Sequence, residues 1–441
     1  MGLRTALFFA HECAPHNHAR STMGAQRPAQ FARHLPEFGW RALVVCCEAS
    51  RRHSARRSDR AAVEAEVARY WDAADPARSL VVPTPSLDSD GAIDAAWHRL
   101  GEGGSALARR ALTLAKYATG DQSQSWQPCA RWAAEVLARE VPIDVCIGEH
   151  GPDAGLFLAR WFHDTHDVPW VADFRDPILR PYEGWRRRLY KPIARRLVAS
   201  AEHVVNVTPT WSASDRELFG RPATCIPNGF DPAEYPAQEP DPIFTLSYTG
   251  NLVPEQPVEL ALAAWADFVA GLPDGERNRV RFVYRGLSLE RVRRAAGNLP
   301  SGATLDLAER VTRDETLRLM QRSQLLLLFS AHDSRPGSYL QRGLYPGKVF
   351  EYFGAQRPIL CVPGDDGQLD ALLAETRTGT IRSSREEITA FLAERFATWK
   401  RDGRLPYQPE ASAVARYERR AQAGVLASIL DEVAQAPRTR K

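Results

Sequence analysis

The sequence is short of the features that would place it in a specialised class. Its seven cysteines, at 13, 46, 47, 129, 146, 225 and 361, form no Cys-x-x-Cys pair and have no histidine at matching spacing. That argues against a structural zinc site and against a disulfide framework, and a reducing, cytoplasmic compartment is expected. No stretch approaches the roughly 18 uninterrupted apolar residues of a membrane span. The apolar run within MGLRTALFFAHECAP is only a few residues long and lacks a small-residue cleavage pattern, so no secretory signal is expected. Any membrane contact would be peripheral. Charge of one sign is also missing. The 57 Lys+Arg and 54 Asp+Glu leave a net +3, which argues against a nucleic-acid partner held through a large phosphate footprint. No internal repeat is evident at a period of about 20–50 residues.

What is present is ordinary globular chemistry over 441 residues, enough for about two or three domains. Thr5–Ala10 reads as a buried strand, Ala25–Phe38 as a helix closed by Gly39, and Ala42–Cys47 as a second strand. That β-loop-α-β order builds parallel sheets. The charged stretch Glu48–Arg78 reads as surface helix and loops. Further strand-like runs lie at Leu80–Val82, Val145–Gly148, Trp170–Ala172 and His203–Val207. The segment NGFDPAEYPAQEPDP, Asn228–Pro242, has the proline and acid content of a linker. Alternation then restarts, with strands expected at Phe244–Thr249, Val280–Tyr284, Leu325–Phe329 and Ile359–Val362. Pro409–Ala436 reads as a closing helix. The expectation is an α/β protein of two doubly wound halves: an N-terminal domain over 1–237, a second over 238–408, and a C-terminal helix over 409–441 packing back across them. Ligands would sit outside the carboxyl ends of the strands, in a cleft between the halves.

Three stretches are candidates for chemistry. The loop after the first strand, HECAPHNHARSTMGAQRP, holds His11, His16, His18, Arg20, Gly24 and Arg27. Gly24 would let backbone N–H groups approach a phosphate ahead of a helix N-terminus, while His11, His18 and Arg20 are acceptor-side candidates. The alternative is a polar, His-rich surface loop. No G-x-G-x-x-G occurs there, which counts against a dinucleotide enzyme, and no third ligand completes a metal site. In the second stretch, Asp173, Arg175 and Asp176 follow strand-like WVA. They are either catalytic, orienting an acceptor or moving a proton, or an internal ion pair that fixes a loop. The third runs from Gly337-Ser338-Tyr339 to Tyr352. There Gly347 and Lys348 open a helix toward a phosphate, and Glu351 is placed to bind two sugar hydroxyls. The alternative is a solvated i,i+3 pair. Asp88-Ser89-Asp90 has a D-x-D pattern but reads as a turn, as does Asp365-Asp366. The basic run Trp185–Arg196 fits either an anionic membrane surface or a solvated helix face, and Pro192 argues against a continuous helix there.

Together these stretches resemble bacterial retaining glycosyltransferases of family 4, with the two-Rossmann GT-B fold. The matching segments are QRPAQFARHLPEFGW, VPWVADFRDPI, VVNVTPTWSASDRELFG with CIPNGFDP, LSYTGNL and YPGKVFEYFGAQRPIL, in order over about residues 3–382. The resemblance implies a nucleotide-sugar donor in the C-terminal half and an acceptor in the N-terminal half. It places Glu351 on the nucleotide ribose, Lys348 on the diphosphate, Gly250 and Gly24 close to the donor, and Asp173, Arg175 and Asp176 along the cleft. It implies front-face displacement with retention and no metal or other cofactor. Two departures stand out. A glutamate eight positions before Glu351 is replaced by Gly343, and Asn251 and Gln256 stand near the family's Arg and Lys. The phosphate clamp would then fall on Lys348, with Arg342, Arg335 or Arg285 assisting.

The expected activity is transfer of a sugar to a saccharide, lipid-linked or small-molecule acceptor in cell-surface polysaccharide assembly. The enzyme would be cytoplasmic, with no nucleic-acid partner and room for peripheral contact with the inner face of the membrane. A nucleotide-sugar 2-epimerase and a non-catalytic partner subunit of the same fold are the alternatives.

Overall fold

The computed structural model describes residues 2–16, 23–53, 60–87, 126–180, 182, 184–297, 302, 304–330 and 343–436. The chain divides into two compact units, Met1–Pro227 with Arg419–Lys441, and Asn228–Glu418.

Among the described residues the first unit has seven strands: β1 (Arg4–Phe9), β2 (Trp40–His53), β3 (Leu80–Leu87), β4 (Val145–His150), β5 (Trp170–Phe174), β6 (His203–Asn206) and β7 (Ala223–Cys225). Their order is β3-β2-β1-β4-β5-β6-β7 and every pairing is parallel. Parallel strands need crossovers, and helices such as Met23–His34 and Ala154–His166 supply them. Both faces of the sheet are therefore covered, and the strands read as near-continuous apolar runs. In β1, Leu7 and Phe9 enter one core and Ala6 and Phe8 the other. The helix Arg419–Gln435 belongs to this unit. Its Leu426, Ile429, Leu430 and Val433 share a core with Ala6 and Phe8.

Among the described residues the second unit has six strands: β8 (Phe244–Thr249), β9 (Val280–Arg285), β10 (Thr304–Ala308), β11 (Leu325–Phe329), β12 (Ile359–Val362) and β13 (Gly379–Ile381). The order is β10-β9-β8-β11-β12-β13, again all parallel. Leu325, Leu327 and Phe329 of β11 pack with Leu262 and Trp265, whereas Leu326 and Leu328 pack with Val349 and Phe350. In each unit the strand order reverses once, between β1 and β4 and between β8 and β11. Loops at the carboxyl ends of these pairs diverge and leave a crevice.

Several local readings differ from the structure. β2 runs on to His53, through the start of the stretch read as surface helix and loops, and the closing helix is two, Ala411–Ala415 and Arg419–Gln435. β5 runs on through Asp173 and Phe174. β3 extends to Leu87, so a strand does lead into Asp88; residues 88–90 lie outside those described. Asn228–Pro242 is packed rather than free. Phe230 and Tyr235 are buried beside Phe353, and Asp241 accepts from Arg322 Nε at 2.8 Å and pairs with Arg281. Its acidic residues cap turns and hold arginines, which a composition count cannot distinguish from linker chemistry. Finally, the helix Gly184–Val198 continues through Pro192. The hydrogen bond that proline omits falls on an exposed side, where water can meet the unpaired carbonyl. Among the described residues no helix is long and apolar enough to cross a membrane.

Candidate functional site

In the second unit the crevice is edged by Gly250, just past β8, and by the helix Lys348–Ala355 that follows β11. Gly250 has φ of 135°, a region that disfavours side chains, and its N–H donates to the Arg285 carbonyl at 2.7 Å. A Cβ there would lie 3.1 Å from Lys348 Cε, so the bare backbone lets the lysine stem lie against it. Lys348 is the first residue of its helix and Gly347 is the cap. Its ammonium donates to Glu351 Oε2 at 2.7 Å. The other carboxylate oxygen accepts from Arg313 Nη1 at 3.0 Å, and Arg313 Nη2 reaches Glu234 Oε2 at 2.5 Å.

Glu351 is 4% exposed. Burial raises its pKa, but Lys348 and Arg313 outweigh burial and hold the carboxyl below its usual range. Burial likewise works against the Arg313 charge, and Glu351 and Glu234 more than restore it. The pair is therefore an ionised, buried network and not a solvated helix pair. An ionised Glu351 is an acceptor for hydroxyls. Lys348 keeps donors beyond the one it spends on Glu351, and it sits at a helix N-terminus, where anions are favoured.

Arg285 makes a two-pronged pair with Asp306 on β10, at 3.0 and 2.9 Å. Arg342, Arg335 and Gly337–Tyr339 lie outside the described residues. Asp365 and Asp366 form a turn, with Asp365 accepting from Gly367 and Leu369 N–H groups at the start of the helix Gln368–Thr376.

The first unit places its ionisable groups at the ends of β1, β4 and β5. Asp173 is 4% exposed, and both its oxygens are taken by Arg27, Nε at 2.9 Å and Nη2 at 2.8 Å. Arg27 is fully buried and also donates to the Ile226 carbonyl at 2.8 Å. Arg175 points elsewhere. Its Nη1 reaches Glu12 Oε2 at 3.2 Å, its Nε the His150 carbonyl at 3.2 Å, and its Nη2 the Gly151 carbonyl. A Cβ on Gly24 would fall 1.5 Å from Arg175 Nη1, so only glycine admits this guanidinium against the backbone. Asp176 forms a half-exposed pair with Arg180. The three residues of the Asp173–Asp176 stretch thus turn to three different partners. His11 lies edge-on to Trp126 with centroids 5.3 Å apart. His18 and Arg20 lie outside the described residues.

Two neighbouring groups were absent from the sequence candidates. Glu149 is 4% exposed, and its carboxylate oxygens accept no hydrogen bond among the described residues. Burial, opposed by Arg175 and Arg27 and aided by Asp173, pushes its pKa up to about 8. His150 pairs with Asp153 at 2.7 Å, and Tyr190 donates to the same carboxylate. Burial lowers the His150 pKa, but Asp153 outweighs it and the net shift is upward. Both residues end an apolar strand, VCIGEH, and ionisable side chains at that position of a buried parallel strand are a readable signal. Arg313 was missed as well. It directly follows the capping residue of its helix, Thr312, where the macrodipole favours acids, so a cation there needs an anionic partner. Among the described residues no group of three or more His, Cys, Asp or Glu could hold a metal ion.

Residues 24–229 match the protein family described as Glycosyl transferase 4-like domain. No curated protein sequence matches the chain. Solved structures share its fold at low identity. The N-terminal domain of Candida albicans trehalose-6-phosphate phosphatase is 11% identical with a TM-score of 0.63, over 98% of this chain and 97% of that one. HepE from Anabaena, in complex with UDP and glucose, is 14% identical with a TM-score of 0.55, over 97% and 100%. An alpha,alpha-trehalose-phosphate synthase (UDP-forming) from Burkholderia vietnamiensis is 12% identical with a TM-score of 0.59, over 99% and 100%. The two parallel-sheet α/β units are those of the GT-B fold, and the family match together with this fold supports a glycosyltransferase.

Proposed function

We propose that the protein transfers a sugar from a nucleoside diphosphate donor to a saccharide, lipid-linked or small-molecule acceptor, with retention of configuration. The observation that carries this reading is the Lys348–Glu351–Arg313 network beside Gly250, at the switch point of the second unit. In this reading ionised Glu351 accepts the ribose hydroxyls, and Arg313 keeps it charged and aimed. Lys348 and the N-terminus of its helix meet the diphosphate, and Gly250 lets the phosphates come close. Further support comes from the family match over residues 24–229 and from fold relatives that include a complex with UDP and glucose and a UDP-forming synthase.

The acceptor is assigned to the first unit, to the loop that bears His11, His18, Arg20 and Gly24. Of the residues after β5, Arg175 lies against Gly24 and is assigned the contact with substrate. Asp173 is a positioning residue that acts through Arg27. Asp176, at the edge, orients the acceptor. As the bond from the sugar to the diphosphate breaks, a leaving phosphate oxygen takes the proton of the attacking acceptor hydroxyl on the same face. The protein holds the reactants together and neutralises the departing charge. Lys348 and the helix N-terminus do this in place of a divalent metal, so transfer should persist in a chelator. The proposed setting is polysaccharide assembly in the cytoplasm.

Thermal-shift screening against nucleoside diphosphates and their sugars tests the reading. A ligand at 100 times its dissociation constant stabilises by about 2.7 kcal/mol. Lys348→Ala and Glu351→Ala should each abolish the shift. No shift with any nucleotide, or unchanged shifts in both variants, would refute it.

A further inference from the structure

The helix Gly184–Val198 buries only one of its sides. Ala194, Leu197 and Val198 face the core of the first unit. On another side Trp185, Leu189 and Ile193 stand 59%, 60% and 52% exposed. They recur every four residues and so form one stripe along the helix. The exposed ring of Pro192 lies beside it. Of the other large apolar side chains exposed among the described residues, Val253 and Leu287 lie in the loops after β8 and β9 and Val425 on the helix Arg419–Gln435.

Around the stripe the exposed side chains are cations: Arg186, Arg188, Lys191, Arg195 and Arg196. The helix holds no acidic residue. The Arg186 guanidinium lies 5.7 Å from the centre of the Trp185 ring. A clustered apolar stripe on a protein surface signals a covering partner. Charge decides which partner. A second copy of this chain in a two-fold contact would bring the same cations face to face, and like charges oppose such an interface. An acidic, apolar-centred partner suits both features. An anionic bilayer presents them together, with phosphates at the level of the cations and acyl chains below. Tryptophan, leucine and isoleucine opposed to a basic rim is the composition of a helix that lies in a membrane interface.

We propose that Gly184–Val198 docks the protein on an anionic lipid surface. Trp185, Leu189 and Ile193 enter the acyl boundary, and Arg186, Arg188, Lys191, Arg195 and Arg196 contact the headgroup phosphates. The inference rests on this helix alone and stands apart from the assignment of the donor site.

Co-sedimentation of the full chain with vesicles tests it. The probes are phosphatidylcholine vesicles and phosphatidylcholine vesicles containing phosphatidylglycerol, at low and at raised salt. Binding is expected only to the anionic vesicles, and it should weaken as salt screens the headgroups. Each basic residue at an anionic surface strengthens binding about five-fold. Arg188→Gln with Lys191→Gln should therefore weaken it about twenty-five-fold. Leu189→Ser with Ile193→Ser should weaken it at least about ten-fold through lost apolar burial. These side chains are exposed, so unchanged thermal unfolding of the variants shows that the fold is intact. No binding to anionic vesicles would overturn the proposal. Equal binding by the parent and both variants would overturn it too. So would a lipid-free dimer, seen by sedimentation velocity and dissolved by Leu189→Ser with Ile193→Ser, because the stripe would then be a self-association surface.

Discussion

Replacing Glu149 with glutamine removes one ionisable group and almost no volume. The carboxyl is buried at the end of β4, accepts no hydrogen bond among the described residues, and has Arg175 Nε 3.6 Å away. That guanidinium is shared with Glu12 and two carbonyls, so it compensates little of the cost of a buried charge. Burial raises the Glu149 pKa from 4.5 to about 8. Between those values the unfolded chain releases a proton that the folded chain keeps. Stability from this group is then fully present below pH 4.5 and is lost as pH rises through the window to about 8, at about 1.4 kcal/mol per pH unit. The width of the window sets a ceiling of about 5 kcal/mol. Glutamine has no proton to lose, so Glu149→Gln should flatten this slope. Urea unfolding of parent and variant across the window is the assay. The variant should gain on the parent with rising pH, by about 1.4 kcal/mol per unit within the window, and the gain should level off above about pH 8. A difference that does not change with pH would refute a buried neutral carboxyl. So would a variant that loses ground as pH rises, because Glu149 would then be an ionised partner of Arg175.

Three further outcomes follow from the geometry. Arg313→Met strips Glu351 and Glu234 of a shared cation and should destabilise the protein by about 3–5 kcal/mol in denaturant unfolding, with a larger deficit at neutral pH than in acid, where the Glu351 carboxylate is neutral. Gly250→Ala forces a side chain into a positive-φ site beside Lys348; a cost of about 1–3 kcal/mol is expected, together with weaker nucleotide affinity in calorimetry. Arg27→Met leaves the buried Asp173 carboxylate unpaired and should cost about 3–5 kcal/mol, whereas Arg27→Met with Asp173→Leu should recover much of that in the same unfolding assay.

The strands were legible because burial on both faces leaves unbroken apolar runs such as LLLLF and ALFFA. The two-sheet architecture follows from their alternation with helices. Lys348 and Glu351 stand out in the sequence because a glycine, a lysine and a glutamate open a helix after an apolar strand, whereas Gly250 stands out only through the family resemblance. Partners were not legible. Arg27 and Asp173 are 146 positions apart, and Arg313 and Glu351 are 38 apart, so only the folded sheet order makes them neighbours. The same limit misled the reading of Asn228–Pro242. Asp241 looks like a linker acid until Arg281 and Arg322 are brought to it.

The last helix has a consequence for the order in which this chain takes shape. Asn228–Glu418 is an uninterrupted stretch, whereas the first unit is interrupted by it and resumes at Arg419. The Asp431 carboxylate accepts from the Trp40 indole at 2.7 Å and pairs with Arg4, tying the start of the sheet to a segment made almost four hundred residues later. During synthesis Phe31, Ala32 and Leu35 can cover part of the face carrying Ala6, Phe8 and Val44 early, but the rest must wait until Leu426, Ile429 and Leu430 emerge. The unit begun first is therefore completed last. A ribosome stalled before residue 419 would hold a finished second unit and a first unit with one side of its sheet only partly covered, which is the form that chaperones and proteases would meet.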